Sequence, residues 1–293
     1  MSRITARRKV IRLTVGDAPA AREDALAVEE PLEIRVGGRS LAVTMRTPGH
    51  DFDLAAGFLV SEGVITRREH FRAARYCAGK TEEGLNTYNV LNVDLAPGVA
   101  PPAPSLERSF YTTSSCGLCG KASIDAVRTQ SAYTVTDDAL RIDPEILATF
   151  PEQLRAGQAV FEKTGGLHAA ALFDGVSGRM LVLREDVGRH NAVDKVIGWA
   201  LTEGRLPLRG TVLMVSGRAS FELTQKAIMA GIPALAAVSA PSSLAAELAT
   251  EAGVTLVGFL RGNSMVIYAG QERITAAPGA VAAEQGSTER RAS

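Results

Sequence analysis

Residues 211–264 read TVLMVSGRASFELTQKAIMAGIPALAAVSAPSSLAAELATEAGVTLVGFLRGNS, and their grammar decides the fold class. Thr211–Val215 is a β-branched apolar run, which reads as a strand, broken by Ser216-Gly-Arg218. A helix is expected over 220–230, stopped by Gly231 and Pro233. Ala234–Val238 is the next strand, and Ser239-Ala-Pro-Ser-Ser243 is a capping cluster for a helix that runs to about Ala252. Val254–Leu260 is a third strand, ending in Arg261-Gly-Asn-Ser264. Strands alternating with helices of this length predict βαβ units and a mainly parallel sheet, hence an α/β (α+β) protein.

The same grammar extends upstream to about residue 157. His168–Asp174 and Met180–Leu183 read as short strands, and a helix follows from about Asn191, with Val193, Val196, Ile197, Ala200 and Leu201 on one face. Earlier residues predict a smaller mixed unit. Its strands are expected at 9–15, 31–36 and 40–45, followed by the turn Thr47-Pro-Gly49. A helix then starts with Asp51 as N-cap, carries Phe52, Leu54, Ala55, Phe58 and Leu59, and stops at Gly63. A strand is expected near Tyr88–Val93, and the Pro- and Ala-rich stretch 96–105 reads as a linker. The expected organisation is a small α+β unit with its linker over 1–105, a mobile loop over 106–125, a larger domain over 126–275 and a disordered tail over 276–293.

Composition narrows the function classes. The 293 residues carry 32 basic and 32 acidic side chains, so no global attraction to nucleic acid or to a membrane surface is expected. No apolar run approaches the ~20 residues of a membrane span, and the basic N-terminus leads into an alternating strand pattern rather than a signal segment. Three cysteines cannot make a disulfide framework, which suits a reducing compartment and a cytoplasmic location.

Polar loops follow the strands. Arg184-Glu-Asp-Val-Gly-Arg-His190, Ser216-Gly-Arg218, Ser239–Ser243 and Arg261–Ser264 would gather at the carboxyl edge of an α/β sheet, where ligands bind. Arg184, Arg189, Arg218 and Arg261 could converge there on phosphate oxygens, with Gly188, Gly217 and Gly262 permitting close backbone approach. Neither a Walker motif nor GxGxxG is present. His190 at a strand-to-helix junction is either ligand-facing or a local backbone partner; His168 is equally well a satisfied core histidine. Trp199 reads as packing.

Cys116-Gly-Leu-Cys119 sits in a small, polar segment expected to be a loop. It admits three readings: a redox or sulfur-handling pair with the thiolate favoured by Lys121 and backbone N–H groups, half of a zinc site, or a plain surface loop. No further ligands stand beside it at finger spacing, and no tightly held metal is expected. Cys77, in a segment expected to be helical, reads as structural.

With these residues in hand, the chain resembles the FdhD family of formate dehydrogenase accessory sulfurtransferases from about residue 9 to 272. The likeness rests on Thr47-Pro-Gly49, Gly57-Phe-Leu-Val-Ser-Glu-Gly63, Ser115-Cys-Gly-Leu-Cys-Gly120 and Gly166-Leu-His168, and on Arg184–Lys195, Ser216-Gly-Arg218 and Phe259-Leu-Arg-Gly-Asn-Ser264. The resemblance implies a cytidine-deaminase-like larger domain and a homodimer. It implies that a cysteine desulfurase loads persulfide sulfur on the loop, with Cys116 as carrier and Cys119 as its partner. The sulfur then passes to the molybdenum bis(molybdopterin guanine dinucleotide) cofactor for a client formate dehydrogenase. Phe259, Leu260, Arg261, Gly262, Asn263 and Ser264 would bind the guanine dinucleotide, of which GDP or GMP is a mimic; Arg189, His190, Ser216, Gly217 and Arg218 complete the expected cofactor set. Two rivals stay open. One is a zinc-dependent deaminase, against which stands the absence of any His-x-Glu in the chain. The other is a nucleotide-binding module whose cysteines sense oxidation.

Overall fold

The computed structural model describes residues 4–77, 79, 88–102 and 131–275; the loop expected at 106–125, with Cys116 and Cys119, and the tail at 276–293 lie outside the described residues. The architecture is mixed α/β. A hairpin of β1 (Thr5–Arg12) and β2 (Ala20–Ala27) comes first. A four-stranded sheet follows, with β3 (Glu30–Val36), β4 (Arg39–Arg46), β5 (Phe71–Tyr76) and β6 (Val90–Leu95) in the order β4-β3-β6-β5. Helix α1 (Asp51–Ser61) lies between its second and third strands in sequence.

The second half is built on six strands: β7 (His168–Asp174), β8 (Met180–Asp186), β9 (Thr211–Val215), β10 (Ala234–Ala237), β11 (Thr255–Arg261) and β12 (Ser264–Ala269), ordered β12-β11-β10-β9-β7-β8. Its helices are α2 (Pro144–Ala148), α3 (Phe150–Gly157), α4 (Ala159–Thr164), α5 (Arg189–Thr202), α6 (Phe221–Met229) and α7 (Ser243–Ala252).

Only the centre of this sheet is parallel, β9 with β10 and β10 with β11. The expectation of a mainly parallel sheet is therefore corrected to a mixed one. Parallel neighbours need a crossover of a dozen or more residues. The connections 175–179 and 262–263 are too short for that, and each makes an antiparallel hairpin. Asp174 closes the first by accepting from the N–H groups of Val176 and Ser177.

The period-two alternation sorts the sheet's two faces. Ala170, Leu172, Leu213, Val215, Leu235 and Ala237 join one core with α1, α5, α6 and α7. Ala169, Ala171, Phe173, Val212, Met214, Ala234 and Ala236 join a second, closed by Leu147, Phe150 and Leu154 of α2 and α3. Phe150 stacks on Phe173 at 4.0 Å between ring centroids. Fully burying one such aliphatic or aromatic side chain contributes about 1.5–3 kcal/mol.

The first core also contains Leu32, Ile34, Leu91 and Val93 of the four-stranded sheet, so the two halves share one apolar interior. They meet at α1 and α5, which cross at Gly57 and Gly198. A Cβ at Gly57 would lie 1.8 Å from the carbonyl oxygen of Asp194, and one at Gly198 would lie 1.8 Å from that of Asp53. Backbone meets backbone at this crossing, and only glycine permits it.

Smaller differences from the sequence reading have local causes. Asp51 is not the N-cap of α1: His50 occupies that position with φ 56°, and the Asp51 carboxylate is held by Arg46 at 2.9 Å. Cys77 follows β5 instead of lying in a helix, and its N–H donates to Val90 O. The alternation at 9–15 does form a strand at first, but Ile11, Leu13 and Val15 stay exposed.

Candidate functional site

The carboxyl edge of the six-stranded sheet collects the expected loops. Strand β7 runs antiparallel to β9, which places His168 beside the exit of β9 and opposite Asp186 of β8. The Ala169 N–H donates to Ser216 Oγ at 2.9 Å, and the Ser216 N–H to Ala169 O at 3.0 Å. Gly217 faces His168: a Cβ there would stand 3.5 Å from Nδ1.

The neighbouring loops are laced side by side. Ser242 N donates to Ala219 O, Phe259 N to Ser239 O, and Arg261 Nε to Val238 O at 2.9 Å. Beyond them, β11 and β12 overshoot the sheet as a hairpin. Its two-residue turn begins with Gly262 at φ 50°, a conformation two-residue hairpin turns demand. Phe259, also at φ 50°, sits in the irregular stretch between Gly258 and Arg261 and is exposed. Arg218, Arg261, Gly262, Asn263 and Ser264 are exposed at this edge as well. Leu260 is not: its side chain is fully buried in the second core, so only its backbone could face a ligand.

Two helices begin here, α5 after Gly188 and α6 after Ser220, neither with a side-chain cap hydrogen bond. Among the described residues, Arg189 Nε, His190 Nε2 and Ser220 Oγ are buried atoms that make no hydrogen bond. Buried donors ordinarily find acceptors, and helix N-termini add partial positive charge, so this lining suits an oxyanion. His190 Nε2 stands 3.8 Å from Glu222 Oε2, a charge contact rather than a hydrogen bond. The facing imidazole holds the Glu222 carboxyl well below its ordinary value, at about 2, with burial opposing. Burial, followed by the neighbouring Arg189 guanidinium and the His190 imidazole, pushes His168 down and favours its neutral form. His168 thus belongs to the edge rather than to the core. Glu222 was not anticipated; its only signal was an acidic residue in the first turn of a helix behind Ser216-Gly-Arg218.

Arg184 does not join the other arginines. Its guanidinium pairs with Asp53 of α1, Nη2 to Oδ2 at 3.0 Å, and is largely buried between the halves. Much of the Arg184–Lys195 motif serves the same junction. Lys195 Nζ is 2.6 Å from Asp186 Oδ2, and Lys226 Nζ is 2.8 Å from Asp194 Oδ1, which also accepts from Ser61 Oγ at 2.7 Å. The structure therefore brings together Arg189, His190, Ser216, Gly217, Arg218 and the 259–264 hairpin along one edge. Cys116 and Cys119 lie outside the described residues. Among the described residues, no three of His, Cys, Asp or Glu come together to hold a metal, and no helix is long and apolar enough to cross a membrane.

Comparisons with known proteins bear on this arrangement. The chain matches the FdhD/NarQ family over residues 27–275. Sulfur carrier protein FdhD of Streptomyces avermitilis is 64% identical over 275 residues, spanning 94% of this chain and 97% of that relative. The protein of the same name from Mycolicibacterium paratuberculosis is 62% identical over 271 residues, 92% of this chain and 99% of its own. Among solved structures, one described as a formate dehydrogenase accessory protein, from Desulfotalea psychrophila, superposes with a TM-score of 0.72 at 23% identity, covering 93% of this chain and 100% of its own, a likeness of fold. The chain belongs to the FdhD/NarQ family.

Proposed function

We propose that this protein is a sulfur carrier for the maturation of formate dehydrogenase. A cysteine desulfurase loads a sulfur atom onto Cys116 as a persulfide. The acceptor is the guanine-dinucleotide molybdenum cofactor, which is the protein's cargo rather than a resident group. The observation that carries this reading is near-full-length identity of 64% to a sulfur carrier protein FdhD, with Cys116-Gly-Leu-Cys119 present in this chain.

The site supports it in chemical terms. Exposed Arg218 and Arg261, the buried donors of Arg189, His190 and Ser220 and two helix N-termini suit the phosphates of a dinucleotide. Transfer itself is persulfide exchange. A nucleophile bonds to the outer sulfur, the S–S bond breaks, and its electron pair leaves on Cys116 as thiolate. Cys119 is the neighbouring thiol able to store or exchange that sulfur. A homodimer in the cytoplasm completes the reading. The deaminase alternative draws no support, since the chain has no His-x-Glu.

The test is complementation. In cells lacking their own copy, the wild-type chain is expected to restore formate dehydrogenase activity and Cys116→Ala is not. Restoration by Cys116→Ala at equal protein level would refute the carrier role.

A further inference from the structure

The strand-to-helix turn that presents Arg189 and His190 is held by a carboxylate that no ligand can reach. Asp186 is fully buried and Lys195 is 1% exposed. Asp186 Oδ1 accepts from Gly188 N at 2.8 Å and from Asn191 Nδ2 at 3.0 Å. Its Oδ2 accepts from Thr47 N at 3.1 Å and pairs with Lys195 Nζ at 2.6 Å. Both oxygens are therefore occupied, Oδ1 by the 188–191 turn and Oδ2 by Thr47 of the N-terminal half together with Lys195 of α5.

Thr47 is the far end of this clamp. Its carbonyl accepts from Lys195 Nζ at 2.9 Å, and its Oγ1 accepts from Val187 N at 3.1 Å. Asn191 adds a bond from Nδ2 to Met45 O at 2.8 Å, and its Oδ1 accepts from Thr44 Oγ1 at 3.1 Å. The cradle leaves no slack. A Cβ at Gly188 would stand 2.9 Å from Asn191 Nδ2 and 3.4 Å from Asp186 Oδ1. Arg189 and His190 follow directly; among the described residues their buried Nε and Nε2 make no hydrogen bond, and His190 Nε2 has only the Glu222 carboxylate at 3.8 Å.

We infer that Asp186 is a positioning residue for the ligand site at the sheet edge: through its bonds to Thr47, Gly188, Asn191 and Lys195 it sets the direction in which Arg189 and His190 are presented. This rests on reading that edge as a nucleotide site. It makes the Thr47-Pro-Gly49 turn of the N-terminal half a working part of a site whose ligand contacts lie in the other half.

The molecule supplies its own control. Asp194, 2% exposed, pairs with Lys226 and Ser61 and joins α1, α5 and α6 in the same way. It lies eight residues beyond Asp186, and its bonds to Ser61 and Lys226 do not involve the 186–190 turn. The experiment measures the GDP affinity of the full chain by calorimetry, with melting temperatures alongside, for wild type, Asp186→Asn, Asp194→Asn and Thr47→Val. Both Asp variants are expected to melt lower. At a temperature where all are folded, Asp186→Asn is expected to bind GDP roughly tenfold or more weakly, while Asp194→Asn stays within about twofold of wild type. Thr47→Val keeps the side chain's volume and removes only the acceptor of Val187 N, and several-fold weakening is expected of it. It decides the matter if Asp186→Asn does not fold. Wild-type protein that fails to bind GDP overturns the nucleotide reading itself. Wild-type binding with undiminished affinity in Asp186→Asn, or in Thr47→Val, overturns the positioning role alone. Equal weakening in Asp194→Asn would show a general loss of structure and overturn it too.

Discussion

The crossing of α1 and α5 allows a prediction whose size comes from the geometry. Replacing Gly57 by alanine puts a methyl group 1.8 Å from the Asp194 carbonyl oxygen, 2.6 Å from its carbon and 2.8 Å from Gly198 N. All three are backbone atoms, so no rotamer change relieves the clash. Restoring even a close C···O contact of about 3.3 Å requires the helices to part by about 1.5 Å. That displacement loosens Leu54, Leu59, Val193 and Ile197, which the helices bury between them and the sheets. It also pulls on Arg184–Asp53 and Asp194–Lys226, the ion pairs that flank the crossing. Overpacking a core typically costs about 1–3 kcal/mol, and a rigid backbone contact belongs at the upper end. For a chain of this size, roughly 3 kcal/mol lowers the melting temperature by about 6–10 °C. The assay is thermal unfolding followed by far-ultraviolet circular dichroism, with urea denaturation alongside. Gly198→Ala is expected to cost about as much, because its contact with Asp53 O is the mirror image. The double variant should cost less than the sum, since one separation of the helices accommodates both methyl groups. A melting temperature within about 2 °C of wild type for Gly57→Ala, or full additivity in the double variant, would refute the reasoning.

Further outcomes are expected elsewhere. Arg261→Glu puts a carboxylate on the exposed hairpin where a phosphate is proposed to lie. GDP affinity measured by calorimetry should fall by roughly tenfold or more, and unchanged affinity in folded protein removes the hairpin from the site. Glu222 has a folded-state pKa of about 2, below the ordinary 4.5, so its contribution to stability is present above about pH 4.5 and is lost as pH falls toward 2. In Glu222→Gln, stability followed by urea unfolding should fall less steeply across that window; an unchanged slope would contradict the His190 contact. Cys77→Ser should leave sulfur loading intact, measured by intact mass, because Cys77 follows β5 and lies outside the Cys116–Cys119 motif. Loss of loading in the folded variant would show that the motif is not sufficient.

Legibility followed the range of the forces involved. The strands β9 to β11 and the helices between them were readable because period, caps and stops are local. Ser242 accepts from Ala245 N at the start of α7, and Gly253 ends that helix at φ 70°, as its composition suggests. The edge was readable for the same reason, since polar loops after successive strands must gather on one side. Helices α2, α3 and α4 were missed because each is short and Pro151 and Gly157 interrupt the period, although Asp143 before Pro144 is a recognisable helix start. The mixed sheet was missed because the apolar runs of β7 and β8 look the same in either direction. Arg184 was misplaced for a deeper reason. A guanidinium two residues from the carboxyl end of its strand fits phosphate or carboxylate equally well, and its partner Asp53 lies 131 residues away. Asp186, Asn191, Asp194 and Lys195 likewise read as one polar motif, whereas their bonds reach to Met45, Thr47, Ser61 and Lys226. No pattern within a single sequence records such pairings.

The central claim is that sulfur is carried on Cys116, and intact mass tests it most directly. The protein is incubated with a cysteine desulfurase and cysteine, with Cys116→Ala and Cys119→Ala in parallel. Wild type is expected to gain the mass of one sulfur atom, removable by reductant and absent in Cys116→Ala. No gain with a desulfurase competent on another acceptor, or an undiminished gain in Cys116→Ala, would contradict it.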